Sequence, residues 1–130
     1  MSILAQADDK AKKQILAQCS VSTKLACKVF YPGRFTLPFS PIIHDPIFDL
    51  LDDDSVQLAA IAAPRGTGKT SIVQLGYPTK RAIFQDSRFI VPVSSTFRQS
   101  MMQSENLKRQ METNKRLLDF GFAGLKSNTW

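Results

Sequence analysis

The segment Val56–Gln74 constrains the fold of this 130-residue chain most strongly, because an apolar run breaks into a glycine-rich turn and then restarts as a helix. Val56–Ala62 is nearly all apolar, which is typical of a strand buried on both faces of a parallel sheet. Ala63–Thr70 then reads APRGTGKT, so the Gly-Lys-Thr half of the Walker A pattern is intact and Ala63 stands where the first glycine usually lies. The pattern predicts a phosphate-binding loop between a strand and a helix.

The residue types in this loop suit the chemistry of binding phosphate. Gly66 and Gly68 allow backbone angles that a side chain disfavours, so successive N–H groups can point inward and hold a β-phosphate. Lys69 can reach the β- and γ-phosphate oxygens, and the helix that begins there directs its positive end at the same point. The Thr70 hydroxyl is placed to ligate Mg²⁺. The loop therefore predicts ATP and Mg²⁺ as cofactors.

Composition restricts the class of protein. The hydrophobic fraction of 43% argues against disorder, and a net charge of +6 is compatible with a polyanionic partner without demanding one. Cys19 and Cys27 have no companions at metal-ligand spacing, so neither a zinc site nor a disulfide framework is indicated. The charged N-terminus does not resemble a signal peptide, and no apolar run approaches the length of a membrane span. We expect a soluble protein of a reducing cytoplasm.

Periodicity and turn residues predict the remaining elements. The chain should begin with an amphipathic helix, pass through a proline-bearing connector and a short acidic helix, and continue after the loop with a second buried strand and a long helix. Gly76-Tyr77-Pro78 should turn the chain after the loop helix, and Thr96 with Gln99 matches a capping box. The predicted ranges are Ile3–Cys19 and Lys24–Phe30 (helices), Phe35–Pro41 (connector), His44–Leu51 (helix), Phe89–Val93 (strand) and Thr96–Leu118 (helix).

Two polar features before the loop admit more than one interpretation. Asp52-Asp53-Asp54 could bind a metal ion, but adjacent carboxylates diverge at a helix end, so a solvated turn is the favoured alternative. His44 is the only histidine. It is interpreted as a capping or packing residue, and its position upstream of the loop leaves open a contact with a nucleotide.

The predicted long helix has two distinct faces. Its apolar stripe should face the core and comprises Phe97, Met101, Leu107, Met111 and Leu118. On the other side Arg98, Arg109 and Arg116 could contact a nucleic-acid backbone. Alternatively, pairs between Glu105 and Arg109 and between Glu112 and Arg116 would leave this face salt-bridged and solvated.

From Phe35 to Trp130 the chain resembles the N-terminal ATPase segment of the large terminase subunit, the DNA-packaging motor of tailed bacteriophages. An aromatic and proline-bearing lead-in and a short acidic helix precede the deviant loop Pro64–Thr70, which has an arginine four residues before its lysine. Val93-Ser94-Ser95 then opens the helix containing QSENLKR, and Phe120-Gly121 and Trp130 close the segment.

The resemblance implies an α/β P-loop NTPase fold of the terminase type, with an incomplete parallel sheet flanked by helices. Residues 1–54 would form a helical lead-in, and residues 55–130 the first part of the ATPase core, truncated before the Walker B strand. Lys69 and Arg65 would be catalytic, with Arg65 sensing or stabilising the γ-phosphate, and Thr70 would ligate the metal. The implied nucleotide-binding residues are Pro64, Arg65, Gly66, Thr67, Gly68, Lys69, Thr70 and Ser71.

The implied function is ATP binding in a motor that packages double-stranded DNA into a capsid in the host cell cytoplasm. Its implied partners are a portal protein, a small terminase subunit and further copies of the large subunit, with no membrane. Walker B carboxylates, a coupling motif and a nuclease domain are absent from the sequence. The alternatives are another P-loop motor, such as a helicase, or a nucleotide- or DNA-binding fragment that does not hydrolyse ATP.

Overall fold

The computed structural model describes residues 9–122, and 59% of these residues are helical. Eight helical elements follow one another along the chain. They are α1 (Asp9–Val21), α2 (Thr23–Phe30), α3 (His44–Asp52), α4 (Lys69–Ser71), a π-helical turn (Ile72–Gly76), α5 (Tyr77–Ile83), α6 (Phe97–Thr113) and α7 (Lys115–Asp119).

The predicted α/β fold is wrong, because residues 9–122 contain no β-strand and no sheet. We expected buried strands at Val56–Ala62 and Phe89–Val93, but neither run forms a strand, and of the first run Ile61 packs against the core. Leu58 is 94% exposed and Phe89 is 88% exposed. An apolar run indicates only that a segment is hydrophobic. A strand also needs a neighbouring strand that pairs with its backbone N–H and C=O groups.

The two apolar runs lie beside different helical elements. Ile61 lines a cavity together with Val73 of the π-helical turn. Ile90 and Pro92 line another cavity together with Leu107 of α6. Pro92 also lacks the N–H group that a ladder would use. Each run therefore lies beside a helix. Within residues 9–122, the two runs do not pair with each other as strands.

The helices before the loop agree with the sequence-based expectations. α2 and α3 match the predicted ranges to within one residue at each end, and α1 covers the part of the predicted first helix that lies within the described residues. Ser22 caps α2 by accepting a hydrogen bond from the Leu25 N–H at 3.3 Å. Residues 3–8 of the predicted first helix lie outside the described residues.

The helix after the loop is longer than predicted, because Gly76-Tyr77-Pro78 does not turn the chain. Helical structure continues from Lys69 to Ile83, with the π-helical turn in its middle. There the Tyr77 N–H donates to the Ile72 carbonyl, five residues back. Pro78 has no N–H group to donate to the carbonyl four residues back, so it interrupts the usual α-helical hydrogen bonds. The wider π-helical turn places Pro78 in the first turn of α5, where a missing N–H is tolerated.

The predicted helix Thr96–Leu118 is instead two helices that meet at Asn114. Thr96 caps α6 by accepting from the Gln99 N–H, although the Gln99 side chain bonds Ser95 rather than completing the box. The Asn114 side chain accepts from the N–H groups of Arg116 and Leu117 and so begins α7. Its amide also donates to the Phe30 carbonyl at 2.9 Å. This tertiary bond fixes a break that helical periodicity does not reveal.

The break changes both predicted faces of this segment. Met111 is buried and Leu107 packs against the core, whereas Phe97, Met101 and Leu118 are exposed, so only part of the stripe faces the core. Arg116 belongs to α7 and does not continue an α6 ridge with Arg98. Among the described residues, neither predicted Glu–Arg pair forms an ion pair.

The core gathers around α2. Phe30 makes edge-to-face contacts with Phe120 and Phe122, and the α2 residue Cys27 touches the π-helical turn at Gly76. A Cβ atom at Gly76 would overlap the Cys27 Sγ atom, so glycine permits this close approach. Burial raises the pKa of the Cys27 thiol to about 12 and that of Cys19 to about 11. Both thiols are therefore protonated and shielded at neutral pH.

A buried polar network joins three helices across the core. The Asp52 carboxylate accepts the Thr23 N–H with both oxygens at 3.0 Å and the Thr23 hydroxyl at 2.5 Å. Lys80 of α5, only 4% exposed, donates to the same carboxylate at 3.0 Å. Asp52 is the last residue of α3, a position where negative charge is unfavourable, but its carboxylate binds the N-terminus of α2, where negative charge is favourable.

We predict that Gly76→Ala destabilises the protein by up to about 2 kcal/mol. Overpacking costs roughly 1–3 kcal/mol, and the better helix propensity of alanine offsets about 1 kcal/mol of it. Urea unfolding followed by circular dichroism measures the change. In a Cys27→Ala background the clash is absent, so the same substitution should be neutral or stabilising there. Equal losses in both backgrounds would contradict the close contact.

We also predict that Asp52→Asn destabilises the fold by about 3–5 kcal/mol, because it leaves the Lys80 ammonium buried without its counter-charge. Asp54→Asn is the matched control. Asp54 pairs with Arg81 from a side chain that is 91% exposed, and such pairs contribute at most about 1 kcal/mol. The two variants are compared by their urea midpoints. Similar small losses for both would show that the network contributes no more than a surface pair.

Candidate phosphate-binding site

The loop before α4 has the backbone conformation that its glycines predict. Gly66 and Gly68 adopt φ angles of 82° and 77°, in the left-handed region that disfavours side chains. A Cβ at either position would meet nothing within 4 Å, so the backbone conformation, rather than crowding, favours glycine here. The Thr67 hydroxyl donates to the Pro64 carbonyl at 2.9 Å and closes the loop on itself. The sequence therefore located this turn correctly.

The N–H groups of the loop are free to bind an anion. From Arg65 through Ser71, none of these backbone donors has an acceptor among residues 9–122. The chain remains helical from Lys69 to Ile83, so the last of these donors also belong to the start of a helical segment. Consecutive unpaired N–H groups around left-handed residues form a concave site of positive potential.

Lys69 lies folded back over this loop. Its Nζ atom donates to the Ala63 carbonyl at 2.5 Å, across the turn that separates the two residues. The side chain is half-buried, whereas the Thr70 and Arg65 side chains are exposed. Among the described residues Arg65 makes no ion pair or side-chain hydrogen bond. The loop thus carries two cationic side chains, one held on a carbonyl and one unpaired.

His44, at the start of α3, contacts the loop from outside. Its Nε2 atom lies 2.6 Å from the Thr67 carbonyl oxygen, and its Nδ1 atom accepts the Ser40 N–H at 2.7 Å. The ring also packs edge-on against Phe39, with centroids 5.3 Å apart. The sequence identified His44 as a packing or capping residue with a possible nucleotide contact, and the structure shows a packed ring bonded to the loop backbone.

The connector behind His44 is held by a residue that sequence analysis missed. Lys28 of α2 donates to the carbonyls of Phe35 and Leu37, and its ammonium lies 4.7 Å from the centre of the Phe39 ring. Phe39 in turn packs against Phe48 of α3 at 4.8 Å. The only sequence signal for this arrangement is a lysine on the otherwise apolar end of α2. Its acceptors are backbone carbonyls, which every residue has, so the sequence does not indicate them.

Two cavities flank Thr70. One of about 260 Å³ is lined by Ala59, Ile61, Lys69, Thr70, Val73 and Gln74. The other, of about 290 Å³, is lined by Arg34, Thr70, Ser71, Gln74, Leu75, Met102, Gln103 and Asn106. Gln74 lines both cavities, and its Oε1 atom is buried without a hydrogen-bond partner among residues 9–122. Within the same residues, neither lining includes a carboxylate.

The three consecutive aspartates do not form a metal site. Asp52 belongs to the buried network, and Asp53 bonds the hydroxyl and N–H of Ser55, which hold the pKa of Asp53 below its usual value. Asp54 is exposed and pairs with Arg81. In the part of the chain that the structure describes, no three His, Cys, Asp or Glu residues converge on a point that could hold a metal ion. The favoured interpretation as a solvated turn holds for Asp53 and Asp54 but not for Asp52.

Comparisons with known proteins add no assignment. Within residues 9–122 no helix combines the length and the apolar character needed to span a bilayer. No family model, no curated protein and no solved structure matches this chain.

Proposed function

We propose that the loop Ala63–Thr70 binds the triphosphate of Mg²⁺–ATP, and that the chain is the ATP-binding segment of a terminase large subunit, a motor that packages double-stranded DNA. The observation that carries the nucleotide proposal is the run of unpaired N–H groups from Arg65 to Ser71 around two left-handed glycines. This arrangement supports an anion site built from the backbone itself. The nucleotide-binding part of the proposal concerns the loop and does not require a sheet.

In this proposal, the Lys69 ammonium moves from its present acceptor to the phosphates of the nucleotide. In the structure its ammonium is held by the neutral Ala63 carbonyl. A hydrogen bond between two charged groups is about twice as strong as one with a neutral partner, so a phosphate oxygen competes well for Lys69. The Thr70 hydroxyl, exposed at the end of the loop, would take a position in the Mg²⁺ shell. Arg65 would place its free guanidinium beside the terminal phosphate.

A second candidate, nucleotide binding without hydrolysis by this chain alone, is favoured by the cavities beside Thr70. Hydrolysis needs a group that positions or activates water, and in this class of ATPase acidic residues do so. The linings of both cavities contain amides and hydroxyls but no carboxylate. The proposed motor would therefore require acidic groups from another polypeptide segment.

The partners in the proposal come from the same resemblance to terminases. They are double-stranded DNA, a portal protein, a small subunit and further copies of the large subunit. The net charge of +6 supports contact with DNA. Arg98 and Arg109 are both exposed on α6, although Arg116 lies on α7. Such contact would be salt-dependent and indifferent to base sequence.

We predict that Lys69→Ala weakens binding of Mg²⁺–ATP by about 10- to 100-fold, because charged hydrogen bonds contribute roughly 1.5–3 kcal/mol. Isothermal titration calorimetry measures the affinity. Lys115→Ala is the matched control, since it removes an exposed lysine from α7 and should leave binding unchanged. Unweakened binding by Lys69→Ala would reject the loop as the site.

We further predict that the 130-residue chain binds Mg²⁺–ATP without measurable turnover. Release of inorganic phosphate is followed at saturating ATP, with the Lys69→Ala variant as the background. Turnover above that background would show that this chain assembles a complete hydrolytic site. Such a result would favour the enzyme over the binding-only alternative.

A further inference from the structure

We infer that His44 is a positioning residue that sets the orientation of the phosphate-binding loop through the Thr67 carbonyl. The inference rests on the proposed nucleotide-binding function. It adds a residue outside the Walker A pattern, and one that would act without touching the nucleotide.

The hydrogen bonds of His44 determine which tautomer its ring adopts. The Ser40 N–H can only donate, so the Nδ1 atom facing it at 2.7 Å must carry a lone pair. The Thr67 carbonyl can only accept, so the Nε2 atom facing it at 2.6 Å must carry the proton. Only the neutral Nε2–H tautomer satisfies both contacts. The ring therefore accepts a hydrogen bond from the connector and donates one to the loop.

The bond to Thr67 acts on the next residue of the loop. The Thr67 carbonyl and the Gly68 N–H belong to one planar trans peptide, in which the two groups point in opposite directions. Holding the carbonyl toward α3 therefore directs the Gly68 N–H away from α3. Gly68 adopts a φ angle of 77° and its N–H has no acceptor among residues 9–122. The histidine thus fixes one donor of the proposed anion site.

The surroundings of His44 are rigid enough for this role. Its backbone N–H donates to the Ser40 carbonyl at 2.9 Å, and its ring is packed by Phe39. Phe39 is itself packed by Phe48 and by the Lys28 ammonium, which also holds two connector carbonyls. A continuous set of contacts therefore runs from the core helix α2 to the loop. A residue locked by its neighbours can preorganise a site before the ligand arrives.

The test compares substitutions at His44 that keep different bonds. His44→Gln places an amide donor within reach of Thr67, whereas His44→Asn reaches only as far as the Ser40 N–H. His44→Phe keeps the packing and removes both bonds. We expect the affinity for Mg²⁺–ATP to fall about 3- to 10-fold for Asn and Phe, the effect of one hydrogen bond, and to stay within about twofold for Gln. Lys69→Ala is measured alongside.

Rescue by Gln but not by Asn would distinguish positioning of the loop from general support of the fold. Protection of the buried Cys19 and Cys27 thiols from alkylation, measured for each variant, confirms that the core is intact. If Lys69→Ala weakens binding but His44→Asn binds as the unsubstituted chain does, the inference fails and the proposed function stands. If Lys69→Ala has no effect, the proposed function itself fails.

A measurement on the unsubstituted chain needs neither a variant nor a nucleotide. His44 is the only histidine, so ¹⁵N labelling of histidine gives one unambiguous pair of ring signals. At mildly alkaline pH, where an ordinary histidine is neutral, we expect the Nε2–H tautomer. A predominant Nδ1–H tautomer would overturn the inference even if the loop binds ATP.

Discussion

The buried pair between Asp52 and Lys80 is the interaction on which the arrangement of this helical chain depends. It brings together the end of α3, the beginning of α2 and the middle of α5, elements that are 28 and 29 residues apart in sequence. Because both charges are largely removed from water, their mutual contact and the Thr23 hydrogen bonds must offset a desolvation penalty of several kcal/mol. The same network fixes α5, and with it the continuous helical segment that begins at Lys69.

The proposed anion site therefore depends on the core at both of its ends. On one side, α4, the π-helical turn and α5 run without interruption from the loop to Lys80, and Gly76 lets this segment approach Cys27 closely. On the other side, His44 at the start of α3 is bonded to the Thr67 carbonyl. Flexible glycine loops bind phosphate well only if their N–H groups are held in place. Here the helices supply that restraint in place of the sheet that we expected.

The exposed apolar segments are the consequence of the lack of strands in residues 9–122. Leu58, Phe89, Val91 and Val93 remain largely in contact with solvent, together with Phe97 at the start of α6. Side chains of this kind each contribute roughly 1.5–3 kcal/mol when they are buried, so leaving them exposed forgoes much of the stabilisation available to the chain. The core consequently relies on side chains from α2, α3, the π-helical turn, α6 and α7.

The sequence by itself determined the features that depend on neighbouring residues. Local backbone preferences and short-range hydrogen bonds account for the glycine-rich turn at Gly66 and Gly68, the cap at Thr96, and the ranges of α2 and α3. Tertiary structure alone decided what depends on distant partners. The sequence did not predict the lack of a sheet in the described residues, the break at Asn114, the buried role of Asp52 or the orientation of His44. Strand pairing, burial and the choice of backbone acceptors are set by residues far away along the chain.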